Sequence, residues 1–177
     1  VSKNTGFIFD NRANFRIVSS SIDFKGTEKD ENTIAFYPQI ASKLSFPLIK
    51  INKENSQTLT PVLMPILAPY NNYTGPQAVN TGNIFSYNRA TGLNNWESGP
   101  RINYGFEWFL DIKDNLDIKL TAGQFLKINK DSTDTSEEVS DYIFASRITL
   151  DTNKYLDSSM ILDRQDKDIK ALSTNTF

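Results

Sequence analysis

The stretch RINYGFEWFLDIK, residues 101–113, decides the fold class of this chain. Its apolar side chains occupy every second position, and the positions between them are polar or small, with Phe109 as the exception. A repeat of two residues predicts a β-strand with one apolar and one polar face. The run LDIKLTAGQFLKI, residues 116–128, alternates in the same way. Only Asp114 and Asn115 separate the two runs, which predicts a tight antiparallel hairpin.

Similar alternation elsewhere predicts about eight strands in total. The other six are expected at residues 7–18, 33–51, 59–69, 141–150, 155–162 and 168–177. The strand at 59–69 contains three prolines, each without a ladder donor, so it should need bulges or an unpaired edge. Most runs reach the roughly 9–11 residues of a membrane-crossing strand. Long and short connections also alternate, as they do in outer-membrane barrels.

The sequence therefore predicts an all-β fold, an antiparallel meander of long strands forming an arc of a large transmembrane β-barrel. The chain begins at Val1 without a secretion signal and ends at Phe177 inside a patterned run. We expect residues 1–177 to be part of one outer-membrane barrel domain, truncated at both ends. The two outermost strands should then lack a partner on one side.

The composition narrows the possible functions. No run of about 20 apolar residues could form a helical membrane span, and the net charge of -2 includes no basic cluster that would suit nucleic acid. Histidine and cysteine are absent, so the usual general base, thiolate nucleophile and common metal ligands are missing. We expect neither an enzyme nor a bound metal or cofactor.

Alternation also assigns the two faces of the hairpin. In a barrel wall the apolar face meets lipid and the polar face lines a hydrated lumen. The predicted lipid-facing residues are Ile102, Tyr104, Phe106, Trp108 and Leu110. The predicted lumen-facing residues are Asn103, Glu107, Asp117, Lys119, Thr121 and Arg147. Two alternatives share this pattern: another outer-membrane porin or channel, and a soluble all-β binding module whose apolar face is its core.

A longer stretch, residues 37–108, carries a family resemblance. It reads YPQIASKLSFPLIKINKENSQTLTPVLMPILAPYNNY and, after a variable patch, NIFSYNRATGLNNWESGPRINYGFEW. In order and spacing it resembles the LptD family, especially its alphaproteobacterial members. The matching positions are Pro38, Gln39, Pro47, Leu48, Pro61, Ala68, Pro69, Phe85, Ser86, Asn88, Arg89, Gly92, Glu97, Gly99, Arg101, Asn103, Tyr104 and Gly105.

The resemblance implies a function and partners. LptD-like proteins are cell outer-membrane barrels of about 26 strands that assemble lipopolysaccharide in the outer leaflet. The expected partners are lipopolysaccharide, an LptE-type lipoprotein plug and, through a separate N-terminal domain, periplasmic Lpt bridge proteins. The long loop at 71–100 is expected to cap the extracellular mouth. Its family-like residues are Phe85, Asn88, Arg89, Gly92, Glu97 and Gly99.

The loop also departs from the family pattern. Where relatives have Asp and Arg after the Gly92 position, this chain has Asn94 and Asn95. If that Asp and Arg form an ion pair in relatives, this chain must hold its long loop in another way.

Overall fold

The computed structural model describes residues 6–22, 31–70, 83–89, 97–112, 116–128, 138–150 and 154–176. The strands are β1 (Ile8–Ile22), β2 (Glu31–Ser45), β3 (Leu48–Ile51), β4 (Asn55–Leu67), β5 (Arg101–Ile112), β6 (Leu116–Lys127), β7 (Tyr142–Leu150), β8 (Lys154–Leu162) and β9 (Ile169–Thr176). They form one antiparallel sheet in the order β1-β2-β4-β5-β6-β7-β8-β9, with β3 paired to β4. The predicted all-β meander is confirmed. Within these ranges, no helix is long and apolar enough to cross a membrane.

The predicted antiparallel pairing of β5 with β6 is confirmed. The pairing runs without interruption from Arg101 opposite Lys127 to Ile112 opposite Leu116. Directly opposed residues share a face of the sheet, so an apolar row on β5 continues into an apolar row on β6. The predicted turn at Asp114 and Asn115 lies outside the described residues.

The predicted second strand, residues 33–51, is two strands instead of one. It breaks at Phe46 and Pro47, where β2 ends and the short β3 begins. Both parts pair with β4, β2 with its C-terminal half and β3 with its N-terminal half. Since proline has no backbone N–H and a fixed φ angle, Pro47 is a natural place for the ladder to stop. This break raises the strand count to nine.

The proline-rich strand β4 is internal, which corrects the expectation of an unpaired edge. Its ladder to β5 is continuous over twelve positions, whereas β2 meets it at only four. The Pro61 carbonyl accepts a hydrogen bond from Phe46 N at 3.2 Å, so Pro61 faces the β2 side. Pro65, four residues on, faces the same side. The two prolines therefore lack their N–H donors on the side of the interrupted β2–β4 ladder. The continuous β4–β5 ladder keeps all its donors.

The sheet is open, and its connections alternate as predicted. The β1–β2, β4–β5, β6–β7 and β8–β9 connections fall at one end of the sheet, and the links around β3, between β5 and β6 and between β7 and β8 fall at the other. Among the described residues, β1 pairs only with β2 and β9 only with β8. The outermost strands thus have one free side each, as expected for an arc cut from a larger wall.

The two faces of the sheet differ in chemistry. We call the side that carries Tyr104 and Phe106 the apolar face, and the side that carries Glu107 and Thr121 the polar face. The pairing registers place the following exposed side chains on the apolar face: Phe9, Phe15, Ile17, Ile34, Phe36, Ile40, Leu63, Leu67, Phe144 and Leu172. So large an exposed apolar surface is unusual for a soluble monomer and typical of a surface that meets another apolar phase.

The buried core lies on the polar face. Residues 83–89 and 97–100, hereafter the covering segment, pack against this side of the sheet. Phe85 and Tyr87 contact a cluster of buried residues from β2 and β4, namely Ala41, Met64 and Ile66. Ile84 completes a second cluster with Phe125 and Ile143. The segment thus covers an apolar floor within an otherwise polar surface.

Candidate functional site

The five residues predicted to face lipid lie together on the apolar face. Tyr104 and Phe106 are exposed, and Ile102, Trp108 and Leu110 are half-buried. Their neighbours on β4 are apolar as well, because Leu59 opposes Trp108 and Leu63 opposes Tyr104. β5 therefore carries an apolar row with apolar flanks.

The six residues predicted to face the lumen share the polar face. Glu107 lies between Lys43 and Lys119, with an Oε–Nζ distance of 3.7 Å to each. Arg147 donates two hydrogen bonds to Asp157, at 2.6 and 2.7 Å. These partly exposed ion pairs contribute little to stability. Their main consequence is a hydrated surface with both signs of charge.

A shallow groove runs along this polar surface over strands β6 to β9. Its volume is about 340 Å³. Hydroxyl, amide and charged groups line it, including Lys119, Thr121, Arg147, Asp157, Ser173 and Asn175. The groove can therefore hydrogen-bond a polar ligand with many hydroxyl groups.

The covering segment is anchored by buried ion pairs. Arg89 Nε lies 2.9 Å from both carboxylate oxygens of Glu97, and its Nη2 also contacts Oε1. Arg101, the first residue of β5, approaches the same carboxylate with Nη2 at 2.9 Å from Oε2. All three side chains are 0–1% exposed. The Arg89 guanidinium also stacks on the Phe125 ring at 4.0 Å, a geometry that favours arginine over lysine.

Tyr87 connects the segment to strands β1 and β2 and to strand β5. Its carbonyl accepts hydrogen bonds from Gln39 Nε2 at 2.8 Å and from Arg101 Nη2 at 2.6 Å. Its hydroxyl donates to Asp10 on β1 at 2.8 Å, and Arg12 stacks over its ring. Burial raises the pKa of Tyr87, and the hydrogen bond to Asp10 raises it further. The phenol therefore stays protonated, and remains a hydrogen-bond donor, at pH values above those at which tyrosine usually ionises.

A glycine on β6 makes room for the segment. Gly105 on β5 opposes Gly123 on β6. A Cβ atom at Gly123 would lie 2.9 Å from Tyr104 O on β5, 3.1 Å from Ile84 Cγ1 and 3.2 Å from Phe85 Cζ. Gly123 thus forms a notch in the wall that the segment fills, and a side chain there would press on both β5 and the segment.

A second glycine fixes the end of the segment. Gly99 has φ +80°, a conformation that favours glycine. A Cβ atom there would lie 2.6 Å from Tyr70 Cε1. Gly99 N donates to the Pro69 carbonyl at 3.1 Å. The segment therefore enters β5 with Tyr70 packed closely against it.

The chain matches one known protein family over most of its length. The profile of the family described as LptD, LPS transport system D, matches residues 12–176. The chain belongs to the LptD family. No curated protein matches it. LptD-family proteins act in lipopolysaccharide transport at the outer membrane, so the match supports that general role, and both the covering segment and the β5–β6 hairpin lie within the matched range.

The LptD-like loop residues lie close together, packed against the polar face of the sheet. Phe85, Asn88, Arg89, Glu97 and Gly99 all belong to the covering segment. Gly92 lies outside the described residues. Asn88 Oδ1 accepts a hydrogen bond from Glu97 N at 3.0 Å, which fixes the two halves of the segment side by side.

Several site residues of this LptD-family chain escape sequence reasoning. Ile84, Tyr87 and Phe125 make contacts that bring the segment and the wall together. Gln39 does so as well, and the sequence indicated it only as a family-matching position. The available signal was the presence of apolar and ionisable side chains within a polar loop. Alternation assigned Asn103 to an open polar surface, but its side chain is fully buried under the segment.

Proposed function

We propose that residues 1–177 belong to one outer-membrane barrel domain, and that this chain is an arc of the wall of an LptD-type lipopolysaccharide translocon. The observation that carries the proposal is the open sheet with one apolar and one charged face. A soluble sheet would cover its apolar face with protein, whereas a membrane wall leaves it for lipid. The family match favours lipopolysaccharide as the cargo.

In this proposal the apolar face, including Ile102, Tyr104, Phe106, Trp108 and Leu110, contacts lipid. The uncovered part of the polar face, including Glu107, Asp117, Lys119, Thr121 and Arg147, lines a hydrated lumen. Hydroxyls and paired charges suit the saccharide part of lipopolysaccharide better than its acyl chains, because buried hydrocarbon gains nothing from such a surface. Asn103 would contact cargo only if the covering segment moved.

The proposal includes a protein plug of the LptE type. On the polar face, Ile49 opposes Thr58, which opposes Phe109. Ile49 is 64% exposed and Phe109 40%. Exposed apolar side chains on a surface that faces water suit a protein partner. Periplasmic Lpt bridge proteins would act through another domain of the whole protein.

The test is site-specific photocrosslinking in the full-length protein in its own membrane. Photoreactive residues replace Lys119 on the polar face and Leu120 beside it on the apolar face. We expect lipopolysaccharide adducts at position 119 only while new lipopolysaccharide is being supplied, and lipid adducts at position 120 throughout. A photoreactive residue at Phe109 should capture the plug protein.

Two other outcomes would favour the alternatives. Lipid adducts at 120 without supply-dependent adducts at 119 would indicate a porin or other channel. A protein that remains monomeric without detergent and yields no lipid adduct at 120 would indicate a soluble binding module. Either result would contradict the translocon proposal.

A further inference from the structure

The buried ion cluster under the covering segment is not electrically balanced. It contains two guanidinium groups, Arg89 and Arg101, and one carboxylate, Glu97. Within the described part of the chain, Arg89 Nη1 and both Nε and Nη1 of Arg101 are buried without a hydrogen-bond partner. The docked state therefore contains one uncompensated positive charge, which burial disfavours.

Asn103 adds to this imbalance. It lies two residues from Arg101 on the same strand and the same face, and it is fully buried. Neither its amide nitrogen nor its amide oxygen has a partner among the described residues. Water could reach these groups if the segment moved away, so their hydration favours release.

Apolar contacts act in the opposite direction. Ile84 is 1% exposed and fills the glycine notch, and Met64 and Ile66 beneath the segment are 0% exposed. Burying side chains of this kind stabilises the docked state. The apolar contacts favour docking of the segment, and the buried unpaired polar groups at the same interface favour its release.

We propose that the covering segment is a reversible latch on the polar face, held by its apolar contacts and opposed by the uncompensated charge of the Arg89–Glu97–Arg101 cluster. Release uncovers Arg101, Asn103 and the apolar floor, and widens the polar face without breaking any strand ladder. The inference does not depend on which molecule passes the wall. It concerns an equilibrium within the chain.

The chain contains its own reporter of release. It has two methionines. Met64 lies beneath the segment and is 0% exposed, whereas Met160 is half-buried on the apolar face, in a groove with Phe106 and Leu120. Hydrogen peroxide is small and neutral and converts methionine to its sulfoxide. A thioether does not ionise, so nearby charges do not alter its intrinsic reactivity through a pKa.

The experiment measures initial oxidation rates of both methionines by peptide mass spectrometry in the folded full-length protein. In the wild type, Met64 should oxidise measurably but at least about tenfold more slowly than in the same protein unfolded in denaturant. Glu97→Gln removes the only carboxylate of the cluster and should raise the Met64 rate roughly tenfold or more. Asn103→Asp adds a carboxylate of nearly the same shape beside Arg101 and should lower the rate at least about threefold.

The two variants are matched, because each exchanges an amide and an acid in opposite directions. The Met160 rate should be the same in all three proteins and reports both peroxide dose and folding. An unchanged Met64 rate in both variants would overturn the latch, as would a faster rate in both, which would indicate disturbed packing. A wild-type Met64 rate equal to that of the unfolded protein would show that the segment is not docked.

Discussion

Two phenylalanines on one strand give a direct test of the wall's orientation. Phe106 and Phe109 are both 40% exposed, and they project from opposite faces of β5. Arginine at either position changes size and charge equally. If the apolar face contacts lipid, Phe106→Arg should destabilise the folded protein far more than Phe109→Arg.

The magnitude follows from their positions. Phe106 is the sixth of the twelve residues of β5, and its cross-strand neighbours are Pro61 and Ala122. In the proposed orientation it would lie near the middle of the membrane. Arginine at the bilayer midplane of a barrel costs about 2–4 kcal/mol. Phe109 lies between Thr58 and Lys119. In the barrel without its plug protein, arginine there meets water and one like charge, at a cost of about 0.2–1 kcal/mol.

The assay is denaturant titration of the full-length barrel in lipid vesicles, comparing both variants with the wild type. The change at 106 alone corresponds to a roughly 30- to 900-fold shift in the ratio of folded to unfolded protein. Equal losses of stability at the two positions, or a larger loss at 109, would refute the lipid assignment of the apolar face.

Two further predictions concern the segment and a turn. Gly123→Val should displace Ile84 and Phe85 from the notch, lower the stability of docking by about 1.5–3 kcal/mol and speed proteolysis within the segment; unchanged proteolysis would contradict the notch. The Lys170 ammonium, followed by two backbone N–H groups, lowers the pKa of Asp163 from 3.8 to about 2. A lowered pKa stabilises the turn at 163–168 fully above pH 3.8, and this stabilisation should be lost progressively as the pH falls from 3.8 through about 2. A carboxyl NMR titration of Asp163 with a midpoint near 3.8 would show that these contacts do not form.

The parts of the fold that sequence predicts best are those governed by local periodicity. The bounds of both strands of the hairpin β5–β6 were predicted to within a residue, because the alternation of apolar and polar side chains begins and ends with each strand. The alternation of connections and the open edges follow from the same reasoning. None of these features requires knowledge of a distant contact.

Sequence reasoning was wrong about the prolines of β4 because it treated a missing donor as a property of the whole strand. A strand has two sides, and residues 61 and 65 direct their backbone atoms to the same one. The ladder to β5 therefore loses nothing. The break at Pro47 lies on the same side of β4, where two short ladders, β2–β4 and β3–β4, stand in place of one continuous ladder.

The covering segment could be recognised from sequence only as a family-like loop. Its position depends on contacts across large sequence separations, such as Tyr87 with Asp10 and Gln39. Alternation predicts which face a strand residue occupies, but it cannot say what covers that face. This is why Asn103 was expected in open space and is found buried.

The sparse ladder between β2 and β4 divides the wall into two panels, β1–β2 and β4–β9, each held by continuous pairing. The covering segment spans that division. Tyr87 is bonded to Asp10 and Gln39 on one panel and to Arg101 on the other. Tyr87 therefore links the two panels across the sparse β2–β4 ladder. Among the described residues, the panels are otherwise joined mainly by the four β2–β4 positions, the Phe46–Pro61 hydrogen bond, the Lys43–Glu107 ion pair and the chain through β3. The same movement that clears the polar face would therefore also loosen the wall where its backbone pairing is sparsest.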